Sequence, residues 1–274
     1  MQNIIYNMFE LKDKVIVLTG ATGSLGSALA ISLAKSKAKL VVLGRNQNLL
    51  ENLKKELRPF THVEGHVVNV MDRSELDKVR TSILDNLGRI DSLVNAVGGN
   101  LPGAVIPDDK TIFDLSETDF DEVVELNLKG TIIPSVVFGE VMAKQGTGSI
   151  VNYSSMSVDR VITRIVGYSA AKAAMENFTR WMAVEMALKF GDGIRVNAIA
   201  PGFFIGKQNK KLLLNDDGSL TNRGKKIISN TPMKRFGEPE ELSGAIHFLC
   251  SESSKFVTGI VLPVDGGFSA YSGV

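Results

Sequence analysis

The chain has 274 residues, 44% of them apolar, and its 31 basic and 30 acidic side chains leave a formal net charge of +1. That length suits one α/β domain with an insertion, and the apolar share excludes a disordered chain. The balanced charge argues against a protein that covers a phosphate backbone, so no nucleic-acid partner is expected. The one cysteine, Cys250, excludes an internal disulfide and a cysteine-built metal centre. Within the apolar stretch Ala245–Cys250 it reads as a buried structural thiol. His62, His66 and His247 show no ligand spacing, so no metal is expected. No stretch nears the roughly 18 uninterrupted apolar residues of a membrane span. Met1 to Lys14 has no basic flank leading into an apolar run. The expectation is a soluble, cytoplasmic protein with no membrane partner, whose ligand is a small molecule.

In chain order, the strand candidates are Val15–Thr19, Leu40–Leu43, His62–Val68, Ser92–Asn95, Ser149–Tyr153, Arg195–Ile199 and Ile260–Pro263. They are rich in β-branched residues without polar alternation, as suits strands covered on both faces. The helical patterns between them are Leu25–Lys35, Asn48–Leu57, Arg73–Leu87, Glu117–Lys144, Gly167–Phe190 and Glu238–Leu249. The alternation predicts a single doubly wound Rossmann domain over 1–274, a seven-stranded parallel sheet with helices on both faces. Two stretches break the rhythm, Gly98–Leu115 and Gly202–Arg235. Both follow carboxyl ends of strands, where ligands bind in open α/β sheets, and the second is read as a substrate loop or lid over about 202–235.

The first strand runs into Thr19-Gly20-Ala21-Thr22-Gly23-Ser24-Leu25-Gly26 and then a helix. Glycines let a backbone turn tightly against a phosphate, and the helix start offers unpaired N–H groups, so this loop reads as a dinucleotide site. The second strand ends in Leu43-Gly44-Arg45-Asn46, with a basic group where a carboxylate would bind a ribose hydroxyl. Arg45 is either a solvated loop charge or the partner of a 2′-phosphate, which tilts the cofactor towards NADP over NAD.

Tyr168 and Lys172 are spaced i,i+4 and share a helix face. A free tyrosine titrates near 10, and a fixed positive charge beside it would lower that value. Ser154 and Ser155 end the fifth strand, where a hydroxyl could hold the same substrate oxygen.

Here the chain resembles the short-chain dehydrogenase/reductase family over nearly its whole length. The matching pieces are the Thr19–Gly26 loop, Asn95-Ala96-Val97-Gly98, Asn127-Leu128-Lys129-Gly130, Tyr153-Ser154-Ser155, Tyr168–Lys172, Pro201-Gly202 and Val264-Asp265-Gly266-Gly267. The resemblance implies hydride transfer between the nicotinamide of NADP or NAD and a carbonyl carbon, with Tyr168 as acid–base. It implies that Lys172 also binds the nicotinamide ribose, that Ser155 holds the reacting oxygen, and that Asn127 anchors a relay water. The cofactor would then lie along Gly20, Thr22, Gly23, Ser24, Leu25, Gly26, Arg45, Asn46, Asn69, Val70, Asn95, Ala96, Gly98, Pro201 and Gly202. Four departures stand out. Ser24 occupies a usual glycine position, and Thr22 and Gly23 stand where NADP-using members often place a basic residue, which counts against NADP. Asn69-Val70 replaces an aspartate that faces adenine, and Gly206 lies near the place of a threonine that contacts the nicotinamide amide.

Within the family the chain is similar to the D-mannonate oxidoreductase (fructuronate reductase) subgroup. The segments that carry this are Asn95–Asn100, Thr163–Tyr168, Pro201–Asn209 and Phe268–Val274. A sugar acid brings a carboxylate that needs a donor-rich cation. Arg160, Arg164, Lys207, Lys210 and Lys211 are candidates, with Asn100, Gln208 and Asn209 for hydroxyls; Arg164, Asn100 and Asn209 are preferred. Each can equally be a solvated loop residue. Other readings are a reductase of another keto-sugar, a dienoyl thioester reductase, and a non-catalytic cofactor sensor. Trp181 and Phe203-Phe204 read as packing residues. The small residues of Gly167–Phe190, among them Ala170, Ala171, Ala173 and Ala174, either face the sheet or build a helix seam in a homodimer or homotetramer.

Overall fold

The computed structural model of the chain describes residues 8–206 and 209–273, so Lys207 and Gln208 lie outside the described residues. Its seven strands are β1 (Val15–Thr19), β2 (Lys39–Gly44), β3 (Val63–Val67), β4 (Ser92–Asn95), β5 (Gly148–Tyr153), β6 (Ile194–Pro201) and β7 (Val261–Val264). They form one sheet in the order β3-β2-β1-β4-β5-β6-β7, and every pairing is parallel. The order reverses direction at β1, so the crevice between the ends of β1 and β4 is the topological switch point. The inner strands β1, β4, β5 and β6 are buried at every residue, as their unbroken apolar runs require. β3 departs from that pattern: it is a sheet edge, and Val-Glu-Gly-His-Val leaves Glu64 and His66 half-exposed.

The principal helices are α1 (Ser24–Lys35), α2 (Gln47–Leu57), α3 (Arg73–Leu87), α4 (Glu117–Gln145), α5 (Val166–Phe190), α6 (Lys210–Leu213), α7 (Asn222–Asn230) and α8 (Ser243–Cys250). Leu29, Leu33, Leu50, Leu57, Ile246 and Leu249 from α1, α2 and α8 close one face of the sheet. Leu76, Ile83, Phe138, Met142, Met182 and Met186 from α3, α4 and α5 close the other. Cys250 is buried on the first face.

Three segments differ from the sequence expectation. Residues 202–235 are not structureless: α6 and α7 pack Leu213 and Ile227 against Phe236 in a small core of their own. The expected helix Glu238–Leu249 is two pieces, because Pro239 and a capping box between Glu238 and Glu241 tighten its start into a 3₁₀ turn before α8. Trp181 is 60% exposed and shares an open apolar stripe of α5 with Val184 and Leu188, so most of its surface is uncovered in the single chain. Of the small residues on that helix, Ala171 is buried, whereas Ala170, Ala173 and Ala174 are exposed.

Asn95 also departs from its expected place. It is fully buried, and its side-chain amide donates to Asn152 Oδ1 and to Ser135 Oγ, each at 2.9 Å. Asn152 in turn donates to Thr179 Oγ1 at 2.9 Å. Successive strand side chains alternate between faces, so residue 95 points towards α4 and α5 while Ala96 and Gly98 line the groove beyond it. The side-chain N–H₂ therefore clamps β4 to β5 and α4, and through Asn152 to α5. Asn95→Ala is expected to cost about 2 kcal/mol through its orphaned partners. The check is a lowered urea midpoint with NADH affinity unchanged in the folded protein.

Candidate functional site

The groove is built at the carboxyl edge of the sheet, and its first wall is backbone. Gly20 leaves β1 at φ +66, and a Cβ there would lie 2.6 Å from the Ala96 carbonyl oxygen. A Cβ on Gly26 would lie 2.2 Å from the Gly20 oxygen, so α1 packs against the turn only with glycine at that place. α1 starts at Gly23 with no side-chain cap and no acidic residue in its first turn. The positive end of its dipole at this turn thus faces no side-chain carboxylate of its own first turn, which suits an anion.

Three adjoining cavities make the groove. One of about 150 Å³ holds Thr22, Gly23, Arg45, Asn69 and Val70 with Leu126. The next, about 210 Å³, runs along Gly20, Gly23, Ser24, Leu25 and Gly26 past Ala96 and Gly98 to Asn209. The last, about 370 Å³, ends at Ser155, Tyr168, Lys172, Pro201 and Gly202. Shared walls at Ala96 and Gly98 join all three into a trough with the outline of a dinucleotide. Asn46 is turned away from it, because its side-chain oxygen caps α2 by accepting from Leu49 N at 3.0 Å. The Asn69 side-chain oxygen is likewise occupied by Met71 N at 3.2 Å, which leaves its amide N–H₂ for the groove.

At the far end two adjacent serines separate. Ser154 is buried and donates to Glu176 at 2.5 Å. Both serines line the cavity, and it is the Ser155 hydroxyl that hydrogen-bonds with the Tyr168 phenol. Lys172 is fully buried and donates to the Tyr153 carbonyl at 2.7 Å, with its ammonium 5.6 Å from the centre of the Tyr168 ring. Asn127 donates to Gly99 O at 2.7 Å and to Val123 O at 2.8 Å, and accepts from Gly99 N at 3.2 Å. It holds the loop after β4 against the end of the groove, and its side chain is fully used by backbone.

Electrostatics at this end run opposite to the simple expectation for Tyr168. Burial pushes its phenol above the ordinary value, and only the Ser155 hydroxyl opposes. Burial also pulls Lys172 down to about 8, because desolvation disfavours its charged form. Tyr153 is a second raised phenol, but its hydroxyl is buried with no hydrogen-bond partner among the described residues.

The preferred substrate contacts are rearranged. Asn100 lines the groove, with its side-chain oxygen accepting from Leu101 N at 3.0 Å. Asn209 borders it too, but its amide is spent on a turn, accepting from Gly206 N and donating to Phe204 O, each at 2.8 Å. Arg164 stands behind the wall at φ +83 and pairs with Asp108 at 3.8 Å. Arg160 is tied to the Ser269 carbonyl. Besides Lys172, the cation among the described residues that lines this cavity is Arg223 on α7, which sequence reasoning missed. Among the neighbouring charges of Thr221–Lys226 nothing in the sequence marks it out. Phe203 stacks edge-on against Phe268 with centroids 5.2 Å apart and closes the mouth.

A second cavity, about 420 Å³, lies behind Phe203 and Phe204. Its ionisable groups are engaged: Arg235 with Glu241, and Asp265 with the backbone of Gly267 and Ser269. Among the described residues no helix is long and apolar enough to cross a membrane.

The buried lysine has a measurable consequence. Its folded value lies below the ordinary 10.5, so between about 8 and 10.5 the unfolded chain binds more protons than the folded one. Stability relative to Lys172→Met is therefore expected to rise with pH across that window, as read from urea unfolding at a series of pH values. A difference that stays flat would show that the ammonium is not desolvated.

Comparison with known proteins agrees with this geometry. The family model described as enoyl-(acyl carrier protein) reductase matches residues 20–269. The uncharacterized oxidoreductase UxuB of Bacillus subtilis is 44% identical over 274 residues, 96% of this chain and 98% of that one. A 3-oxoacyl-[acyl-carrier-protein] reductase, FabG of Thermotoga maritima, is 34% identical over 258 residues, 94% of this chain and 98% of its own. A crystal structure of a provisionally named D-mannonate oxidoreductase from Haemophilus influenza, with bound NAD, superposes with a TM-score of 0.89 at 44% identity. The match covers 97% of this chain and 98% of that one. With the sheet order, the glycine turn and the Ser155, Tyr168, Lys172 groove end already in place, the chain belongs to the short-chain dehydrogenase/reductase family and is an oxidoreductase.

Proposed function

We propose that the protein is an NAD(P)-dependent oxidoreductase that interconverts the ketone of D-fructuronate and the alcohol of D-mannonate. The observation that carries the chemistry is Tyr168, a phenol held in its protonated form at the blind end of a dinucleotide-shaped trough, beside the Ser155 hydroxyl. The sugar-acid substrate is supported by the Haemophilus relative and its name.

In this reading Gly20, Gly23, Ser24, Leu25 and Gly26 would hold the pyrophosphate. Thr22, Arg45, Asn69 and Val70 would hold the adenosine end, and Lys172, Pro201 and Gly202 the nicotinamide end. The cofactor's contribution is the hydride that the carbonyl carbon receives. Tyr168 donates its proton to the carbonyl oxygen, and Ser155 donates a hydrogen bond to the same oxygen as negative charge develops there. A phenol with a raised pKa is a proton donor at neutral pH, so the resting site is poised for reduction. In the oxidative direction Tyr168 must first lose that proton, with Lys172 as the nearest cation. Arg45 lets the adenosine end accept the 2′-phosphate of NADP as well as NAD. The exposed stripe of Trp181, Val184 and Leu188 on α5, with Ala170, Ala173 and Ala174, is a surface on which a second copy would pack, in a homodimer or homotetramer.

The test is purified protein with D-fructuronate and either NADH or NADPH, followed at the reduced-nicotinamide absorbance band. Turnover is expected with both. Tyr168→Phe is expected to lower kcat by about 10³-fold with cofactor affinity intact. Arg45→Ala is expected to weaken NADPH by about tenfold and leave NADH unchanged, the effect of one exposed charge-assisted contact. No turnover of D-fructuronate, together with turnover of a 3-oxoacyl or enoyl thioester, would overturn the substrate assignment. Full activity in Tyr168→Phe would overturn the mechanism.

A further inference from the structure

The reacting end of the groove carries two guanidinium groups against one carboxylate. Arg223, half-buried on α7, lines the cavity that also holds Ser155 and Tyr168. It makes no hydrogen bond and no ion pair with any described residue. Burial disfavours its charge, the like charge of Arg164 adds to that, and Asp108 opposes both. Arg164 has its own deficit: its Nε is buried with no hydrogen-bond partner, and its ion pair is with Asp108 at 3.8 Å. The Asp108 carboxylate is 92% exposed, so water screens most of what it offers either arginine.

A half-buried cation without a partner is costly, and a planar guanidinium is the side chain best matched to a bidentate carboxylate. The chain places one in the wall of its reaction chamber and backs it with a second. We propose that Arg223, flanked by Arg164, is the subsite that receives the substrate's carboxylate and so makes the enzyme selective for sugar acids over neutral sugars. This rests on the sugar-acid reading above and names the group that enforces it. Arg223 sits on the 202–235 segment, whereas Ser155 and Tyr168 end β5 and begin α5. A substrate that spans the two therefore ties that segment to the sheet.

The experiment uses the NADH-loaded protein and its Arg223→Gln and Arg223→Lys variants. Fluorescence of the bound NADH is titrated with D-gluconate, a six-carbon sugar acid, and with sorbitol, its uncharged counterpart, and KM for D-fructuronate is measured alongside. Wild type is expected to bind gluconate and not sorbitol. Arg223→Gln is expected to raise both the gluconate Kd and the KM by about 100-fold, with NADH affinity and the unfolding midpoint unchanged. Arg223→Lys, which keeps the charge and loses the fork, is expected to recover part of that loss. Equal gluconate affinity in wild type and Arg223→Gln, or equal binding of gluconate and sorbitol by wild type, would overturn the subsite. Arg223-dependent gluconate binding without fructuronate turnover supports the subsite and discards the substrate named above. Turnover with KM unchanged in Arg223→Gln discards the subsite and keeps that substrate.

Discussion

The carboxyl edge of the sheet is organised around one desolvated ammonium group. Lys172 is fully buried, and among the described residues its ammonium donates to a single backbone carbonyl, that of Tyr153 at the end of β5. The loop after β4 has to pass close by: a Cβ on Gly98 would lie 3.2 Å from the ammonium and 2.7 Å from Asn127 Oδ1. Asn127 then clasps Gly99 from both sides, which fixes that loop to α4. The ends of β4 and β5 and the helices α4 and α5 thus converge on the group that stands beside Tyr168. The same burial drives lysine and tyrosine towards neutrality, the lysine by losing its proton and the tyrosine by keeping its own. A groove that holds a neutral phenol at its blind end is a proton donor, and the chemistry proposed for it follows from that protonation state.

Much of the fold was legible in the sequence, because its elements are marked by periodicity. Short runs rich in β-branched residues between helical patterns mark the strands, and they recover the seven to within a residue or two of their ends, although β3 carries Glu64 and His66 and β6 carries Arg195 and Asn197. The i,i+4 spacing of Tyr168 and Lys172 shows that the two share a helix face. It cannot show how deep that face is buried, and depth decides the sign of the tyrosine's shift. Asn95 illustrates the same limit on a strand. A polar residue at a strand end can face a ligand or the opposite helix layer, and only the register with Asn152 and Ser135 settles which.

The substrate end was less legible for a different reason. Arg164 lies next to Tyr168 in sequence, which made it the obvious cation, yet its left-handed backbone turns it towards Asp108 behind the wall. Arg223 comes from a segment read as a loop, whose apolar residues are too few to announce a helix. Leu213, Ile227 and Phe236 nevertheless suffice to fold that segment on itself and bring α7 to the groove. The phosphate end is robust to such uncertainty because backbone builds it. Ser24 in place of a usual glycine is accommodated, since the close approaches fall on Gly20 and Gly26.

The central claim is that Tyr168 carries its proton in the free protein because burial raises its phenol, with the Ser155 hydroxyl the opposing group. A spectrophotometric titration of the phenolate band, wild type minus Tyr168→Phe in the absence of cofactor, isolates that one phenol from the buried Tyr153. The account predicts a difference signal that emerges only above the ordinary tyrosine value of 10. A Tyr168 phenolate already formed near neutral pH would contradict it, and would hand control of the site to the charge on Lys172.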